Sequence, residues 1–401
     1  CFMTLLKPYL IIIKSILFYF FDSLALCKTP SPQKNRLDVV ILIRQDAIGD
    51  FVMWLDTAKE YRKLYPPEKY KIVLVGNKIW CDLAEELSYW DRVIPVDVKQ
   101  FKTFSSYRWK LLRQILNLKA NVAIQPTFSR EFYNGDSLVR ASQASRKISS
   151  FGDMGNRNWL KQIIADSWHT ELIPATTKSL TELERNAEFY SGLTDSAHLT
   201  GYPKLDMPEF WLSPEWKEQT FYIIVPGTSG AVAGKEWPVT YFSDLATKVF
   251  QQTGWKGLIC GAKQEHSLGE QILKQCDAPL QNFAGQTTLV ELAGLLSQSR
   301  LTISNDTGVV YLSSAVGTLS VCILGGGHFG RFVPYPDLPG QTNHLKTVYH
   351  KMPCYGCNWV CIFPIIEGEP TPCIANISVG AVWSKVRPLL INKTLDQKDL
   401  C

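Results

Sequence analysis

Residues 301–325 constrain this chain more than any other stretch. A short apolar run, Leu301 to Ile303, leads into the polar turn Asn305-Asp306-Thr307-Gly308. An apolar helix from Val309 to Val316 follows and is stopped by Gly317. A second apolar run, Leu319 to Leu324, ends in Gly325-Gly326-Gly327. The pattern is a compressed strand-helix-strand unit. Its polar groups fall where a strand ends and a helix begins, the place where open α/β sheets bind ligands. Free N–H groups and the positive end of the helix dipole suit a phosphate there. An ordinary turn with Asp306 as a helix cap is the other reading.

The rest of the chain repeats this alternation. Asp38 to Ile43 reads as a buried strand, Arg44 to Asp50 as the turn after it, and Phe51 to Leu64 as a helix closed by Tyr65-Pro66-Pro67. Tyr70–Gly76, Val93–Val96 and Val122–Gln125 are further strands, and Trp80–Leu87 a helix. After a linker from His198 to Glu209 the alternation restarts with a strand at Phe221–Val225. A helix at Tyr241–Gln252, a strand at Gly257–Gly261 and a helix at Thr288–Ser297 follow. A last helix is expected from Ala381 to Arg387, ended by Pro388. Such alternation indicates parallel, doubly wound sheets. At 401 residues, two Rossmann-like halves facing across a cleft are the natural architecture. The expected bounds are 1–36 for an apolar segment and linker, 37–205 and 206–345 for the two halves, and 346–401 for the remainder.

The charge balance, 42 basic against 37 acidic residues, carries no long basic run. It weighs against nucleic acid as a partner and is compatible with an anionic ligand or a membrane surface. Residues 9–26 are strongly apolar but interrupted by Lys14 and Asp22, and the run between them is too short to span a bilayer. An interfacial or packed helix is expected, giving peripheral membrane association; an anchor or signal segment is the alternative. Met3 is read as the natural start of a chain that opens at Cys1. Of eleven cysteines, Cys1, Cys27, Cys81, Cys260, Cys276, Cys322 and Cys401 are scattered, several in apolar runs. They read as reduced residues of a cytoplasmic protein.

No G-x-G-x-x-G follows the first strand, and the match at Gly325–Gly330 opens no helix, so a standard dinucleotide site is not supported. G-x-x-x-x-G-K-[ST], H-E-x-x-H, G-x-S-x-G and Asp-x-Asp are also absent from the sequence. Asp50 stands just after the first strand, beside Gly49, where the helix start favours a carboxylate. It can accept the proton of an acceptor hydroxyl in a displacement with an oxocarbenium-like transition state. Asp46, four residues earlier, competes for that role, and a helix-start charge without chemistry is the bland reading. Thr228, Ser229 and Lys235 offer hydroxyls, N–H groups and an ammonium for a diphosphate, and Lys235 can neutralise a departing nucleoside diphosphate. A solvated loop lysine is the alternative. Glu265 suits the hydroxyls of a ribose, and Asp306, Thr307 and Gly308 complete that wall. The six histidines form no ligand set. His328 could line the donor cleft, and an ordinary loop histidine is the favoured reading. Arg130 and Arg140 read as contacts for acidic acceptor groups, or as surface residues.

Taken together, Ile43-Arg-Gln-Asp-Ala-Ile-Gly-Asp50, Val225-Pro-Gly-Thr-Ser229, Lys235-Glu-Trp-Pro238, Asn282 to Leu289 with Glu291-Leu292, and Ser304-Asn-Asp-Thr-Gly308 resemble glycosyltransferase family 9, the heptosyltransferases. The resemblance spans roughly residues 37 to 335. It implies an α/β GT-B fold with an acceptor-binding first half and a nucleotide-sugar-binding second half. It also implies inverting, metal-independent transfer of a heptose from ADP-heptose to a lipid-linked or protein-linked glycan such as a lipopolysaccharide core. By position it makes Asp50 the catalytic base. Thr228, Ser229, Lys235, Glu265, Asp306, Thr307 and Gly308 become donor contacts, with no cofactor for catalysis. Tyr311 stands where the family has a histidine, which bears on the identity of the sugar. The reaction would lie at the inner face of the membrane. A GT-B nucleotide-sugar epimerase and a non-catalytic assembly protein are the rival readings.

Cys354, Cys357, Cys361 and Cys373 have metal-ligand spacing, and four thiolates suit structural zinc or iron. The cluster is similar to the metal-bound cysteine finger of autotransporter heptosyltransferases. Reduced cysteines or disulfides in a surface loop are the alternative.

Overall fold

The computed structural model describes residues 2–27, 37–206, 214–228, 230, 232, 234–366 and 368–395, with side chains except those of 2–11 and 391–395. The linker at 28–36, residues 207–213 and Ser229 lie outside the described residues. The chain packs as two compact units. The first is 1–47, 57–178 and 184–200; the second is 48–56, 179–183 and 201–401.

The first unit holds one six-stranded parallel sheet. Its strands are β1 (Asp38–Arg44), β2 (Tyr70–Asn77), β3 (Arg92–Val96), β4 (Val122–Gln125), β5 (Arg146–Ser150) and β6 (Glu171–Ile173), in the order β3-β2-β1-β4-β5-β6. The central strand β1 is buried from Val39 to Arg44, as expected of a strand covered on both faces. The second unit repeats the plan. Its strands are β7 (Phe221–Val225), β8 (Lys256–Ile259), β9 (Leu280–Asn282), β10 (Thr302–Asn305), β11 (Ser320–Ile323) and β12 (Leu345–Val348), in the order β12-β11-β10-β7-β8-β9. Numbered within its own unit, each sheet reads 3-2-1-4-5-6, the Rossmann order. The topological switch points therefore fall between β1 and β4 and between β7 and β10. The chain has the α/β GT-B fold class expected from its sequence.

Helix α1 (Phe2–Leu26) belongs to the first unit. Ser15, Phe18, Asp22 and Ala25 are buried against it. Asp22 forms a two-point ion pair with the fully buried Arg108, at 2.7 and 2.5 Å. Ser15 bonds Tyr133 Oη at 2.8 Å. The polar residues that break the apolar run thus point inward. No described helix is long and apolar enough to cross a membrane. The expected helix 51–64 divides into α2 (Ile48–Ala58) and α3 (Glu60–Leu64). The C-terminal helix does not stop before Pro388 but runs Val379–Leu395 through it. Proline removes one ladder hydrogen bond there, while Val382, Val386 and Leu390 keep the helix in the core. Cys81, Cys260 and Cys322 are buried free thiols, and burial pushes the first two up to about 12.

A buried charged cluster closes the end of the first sheet. Arg130 donates to Asp166 and stands 3.6 Å from Asp136, while Arg157 lies 3.4 Å from Asp166 and 3.9 Å from Asp136. Arg130 is fully buried, so it is no acceptor contact. Arg140 is likewise committed to α1, donating to Ser23 Oγ at 2.6 Å and stacking on Tyr19. Burial, aided by Arg130, pushes His169 down to about 3, and its Nδ1 donates to the Ala165 carbonyl at 2.8 Å. The folded protein therefore holds His169 neutral, whereas the unfolded chain protonates it below roughly pH 6.5. This contribution to stability is complete above that pH and is lost as pH falls towards 3, at about 1.4 kcal/mol per unit. Burial raises Asp136, which acts with the opposite sign, so the test is a comparison. Unfolding free energy measured from pH 7 to 4 should fall less steeply in His169→Gln than in the parent. Parallel curves would contradict a buried neutral His169.

Candidate active site

In the second unit the ends of β7 and β10, neighbours in the sheet, carry the residues singled out in the sequence. Asn305 closes β10 with a buried side chain that bonds the Pro226 carbonyl at 2.6 Å and the Trp237 N–H at 3.2 Å. It thereby fixes both ends of the segment from Thr228 to Lys235. Lys235 Nζ lies 3.1 Å from Asp306 Oδ2, with Asp306 almost entirely buried. The Trp359 ring lies under the same ammonium, 5.4 Å to its centre. Lys235 is therefore a held charge and not a solvated loop lysine. Tyr311 donates its hydroxyl to the other oxygen of Asp306, and burial, then Asp306 itself, raises the phenol well above its ordinary value.

Thr307, not Asp306, is the cap residue of the helix Gly308–Ala315, and it makes no side-chain cap bond. Thr228 presents its N–H and hydroxyl to Glu236 Oε1, both at 3.2 Å. Glu265 follows β8 and accepts the Ala262 N–H at 2.7 Å. A Cβ on Gly227 would lie 2.1 Å from its carboxyl group, so glycine there lets the β7 turn lie against Glu265. Ser229 lies outside the described residues.

Asp50 occupies the first turn of α2, and residues 48–56 pack within the second unit. Two glycines make this possible. A Cβ on Gly308 would sit 2.8 Å from Ile48 Cβ, and one on Gly49 would sit 2.9 Å from Tyr311 Cδ2. The start of α2 thus meets the start of the Gly308–Ala315 helix, next to the Asp306 turn. The Glu182 carboxylate lies within 4.8 Å of that of Asp50. Asp46 is held otherwise, in a 3.0 Å ion pair with buried Arg44, and accepts the Gln45 N–H. Sequence reading gave no role to Glu182, Glu236, Asn305 or Trp359. Glu236 and Asn305 lie inside the motifs quoted above; Glu182 and Trp359 carry no local signal.

The four clustered cysteines line one cavity of about 10 Å³. No three of their sulfurs lie within 4.8 Å of one another, so common coordination needs side-chain rotation. The loop docks on the strand end: Gly356 and Asn358 donate to the carbonyls of Gly326 and Gly327 at 2.8 and 2.9 Å, and Gly326 N–H points at Cys373 Sγ. A Cβ on Gly327 would lie 2.4 Å from the Trp359 ring. The glycine run therefore receives this loop, and no helix follows it. His328 bonds Asn358 at 2.7 Å, and burial lowers its pKa.

Residues 176–356 match the family described as glycosyltransferase family 9 (heptosyltransferase). They form a glycosyltransferase family 9 domain. Lipopolysaccharide heptosyltransferase 2 of Salmonella typhimurium is 25% identical over 122 residues, 29% of this chain and 34% of that protein. The chain thus spans about a third of the length of this curated relative. In structure it resembles a family 9 glycosyl transferase from Veillonella parvula, with a TM-score of 0.67 at 17% identity, covering 89% of this chain and 99% of the other. It also resembles E. coli ADP-heptose lps heptosyltransferase II, with a TM-score of 0.62 at 16% identity over 88% and 99%. The dodecameric iron-containing heptosyltransferase TibC matches with a TM-score of 0.51 at 12% identity over 91% and 80%. These structures share the fold of the chain.

Tyr311→Phe leaves one oxygen of buried Asp306 without its donor, and a loss of about 1–3 kcal/mol is expected in urea unfolding. Unchanged stability would show that Asp306 does not depend on this hydroxyl.

Proposed function

We propose that the protein is an inverting, metal-independent glycosyltransferase that moves a heptose from ADP-heptose to a hydroxyl of a lipopolysaccharide-core-like or protein-linked glycan. The observation that carries the reading is the Lys235–Asp306 pair, held at the switch point of the second sheet with the start of α2 packed beside it. The family 9 match and the name of the Salmonella relative support the same class of reaction. The units bounded at 37–205 and 206–345 would bind acceptor and donor.

Asp50 takes the proton of the acceptor hydroxyl as its oxygen bonds the anomeric carbon. The bond from that carbon to the diphosphate breaks on the opposite face, so the configuration inverts. Lys235 and the N–H groups at the start of the Gly308–Ala315 helix stabilise the leaving diphosphate. Thr228 reaches a phosphate by exchanging Glu236 for it, as Ser229 could beside it. Glu265 takes the ribose. The enzyme would act at the inner face of the membrane, associated through residues 9–26.

Cys354, Cys357, Cys361 and Cys373 supply the donor set of a structural zinc or iron site, which would hold the loop and Trp359 in place. Metal analysis of the purified protein should find about one equivalent of zinc or iron, lost together with thermal stability in Cys354→Ser and Cys373→Ser. Metal-free protein of unchanged melting temperature would leave four ordinary thiols.

The deciding experiment compares ADP-heptose with UDP-, GDP- and other ADP-sugars in binding and hydrolysis. Selective ADP-heptose binding is expected, weakened at least tenfold by Lys235→Ala. Asp50→Asn should keep donor binding and lose about 10²–10⁴-fold in turnover. Preference for another donor would make Tyr311 a mark of a different sugar. Binding of none would favour a non-catalytic assembly protein.

A further inference from the structure

Helix α1 presents apolar side chains to solvent as well as to the unit it packs on. Its buried face carries Ser15 and Asp22, while Ile13, Ile16, Leu17, Phe20 and Leu24 are turned out, exposed by 46% at Ile16 to 64% at Leu24. At 3.6 residues per turn these five fall within about 100° of the helix circumference, so they form one continuous apolar ridge. The burial of Asp22 against Arg108 fixes the helix with this ridge outward.

Cations flank the ridge. On one side α1 lies along the helix Ser106–Leu116, where Trp109 packs edge-on against Phe21 and Arg113 donates to the Ala25 carbonyl at 3.2 Å. Beyond them opens a shallow groove of about 550 Å³ whose charged lining is Arg92, Lys110 and Arg113, with no carboxylate. On the other side Arg140 stacks on Tyr19, its guanidinium 4.1 Å from the ring centre, and Lys14 and Lys161 both lie over the Tyr133 ring. Trp159 and Ile163, one turn apart on the helix Trp159–Asp166, add exposed apolar side chains near Lys161. Of the acids on that side, Glu131 is ion-paired with Lys102 and Asp166 with Arg130.

We propose that this face of the first unit rests on an anionic phospholipid bilayer, with the ridge of α1 in the acyl-headgroup boundary and the Arg92–Lys110–Arg113 groove on lipid phosphates. An apolar ridge bounded by cations, with a groove free of acids, is the complement of such a surface. The proposal deepens the peripheral association through residues 9–26 and is independent of the glycosyl transfer, since it is tested without donor or acceptor.

The test is flotation of the full chain with vesicles of phosphatidylethanolamine and phosphatidylglycerol, and with phosphatidylcholine vesicles as the neutral control. Binding to the anionic vesicles, weakening as salt is raised, is expected. Leu17→Glu with Phe20→Glu should abolish it. Arg92→Gln and Lys110→Gln should each weaken it roughly fivefold, on anionic vesicles alone. All four positions are solvent-facing, so circular dichroism and melting temperature should not move; if the double variant fails to fold, Ile16→Ser carries the test. Absence of anionic-vesicle binding, or binding untouched by these substitutions, would overturn the proposal. So would a dimer seen by light scattering that Phe20→Glu dissociates without vesicle binding by the parent, which would assign the ridge to a second copy of the chain.

Discussion

At the end of β10 the Asn305 amide donates to the Pro226 carbonyl and accepts from the Trp237 N–H. Both bonds are buried, so each partner left unpaired would cost about 1–3 kcal/mol. Thr228 lies two residues after one anchor and Lys235 two residues before the other. The segment proposed to take a diphosphate is thus hung from a strand end, and its Lys235 is held again by the neighbouring residue, Asp306. A loop of this composition would otherwise sample many conformers. Two bonds to one rigid position anchor both of its ends, and the glycines at 49 and 308 bring α2 to the same point.

Much of the fold was legible in the residues. Buried runs such as Asp38–Ile43 and Phe221–Val225 read as strands because parallel strands are covered on both faces, and the polar turns after them read as sites because switch points lie there. Several strands away from the sheet centres were not legible. Arg146–Ser150 carries too many polar residues, and Glu171–Ile173 and Leu280–Asn282 are only three residues long. Their pairing is a property of the finished sheet. Glu182 is a similar case, since its approach to Asp50 depends on how residues 179–183 pack and not on any local pattern. The helix through Pro388 shows tertiary packing overriding a sound local stop signal.

In the sequence Asp22 interrupts an apolar segment; in the structure it gives that segment a fixed orientation. A carboxylate in a buried position needs a charged, well-hydrogen-bonded partner, and Arg108 supplies two bonds to it and others to Phe101 O, Tyr133 O and Ser137 Oγ. The ion pair specifies which side faces out, and that side carries the apolar ridge.

The cysteine loop and the Lys235 site are joined through Trp359. The loop pairs its backbone with Gly326 and Gly327, and Trp359 takes a left-handed conformation, φ +60°, to lay its ring on the glycine run. That ring is also the floor beneath the Lys235 ammonium. Any force that holds the four thiols together therefore reaches the charge assigned to the leaving diphosphate through a single rigid side chain. A structural metal here would act on catalysis without touching substrate, by fixing the surface against which Lys235 is desolvated and aimed. Loss of the metal and loss of the Trp359 ring should then have the same consequence for donor binding, whereas thiols unconnected to metal would make the Trp359 effect stand alone.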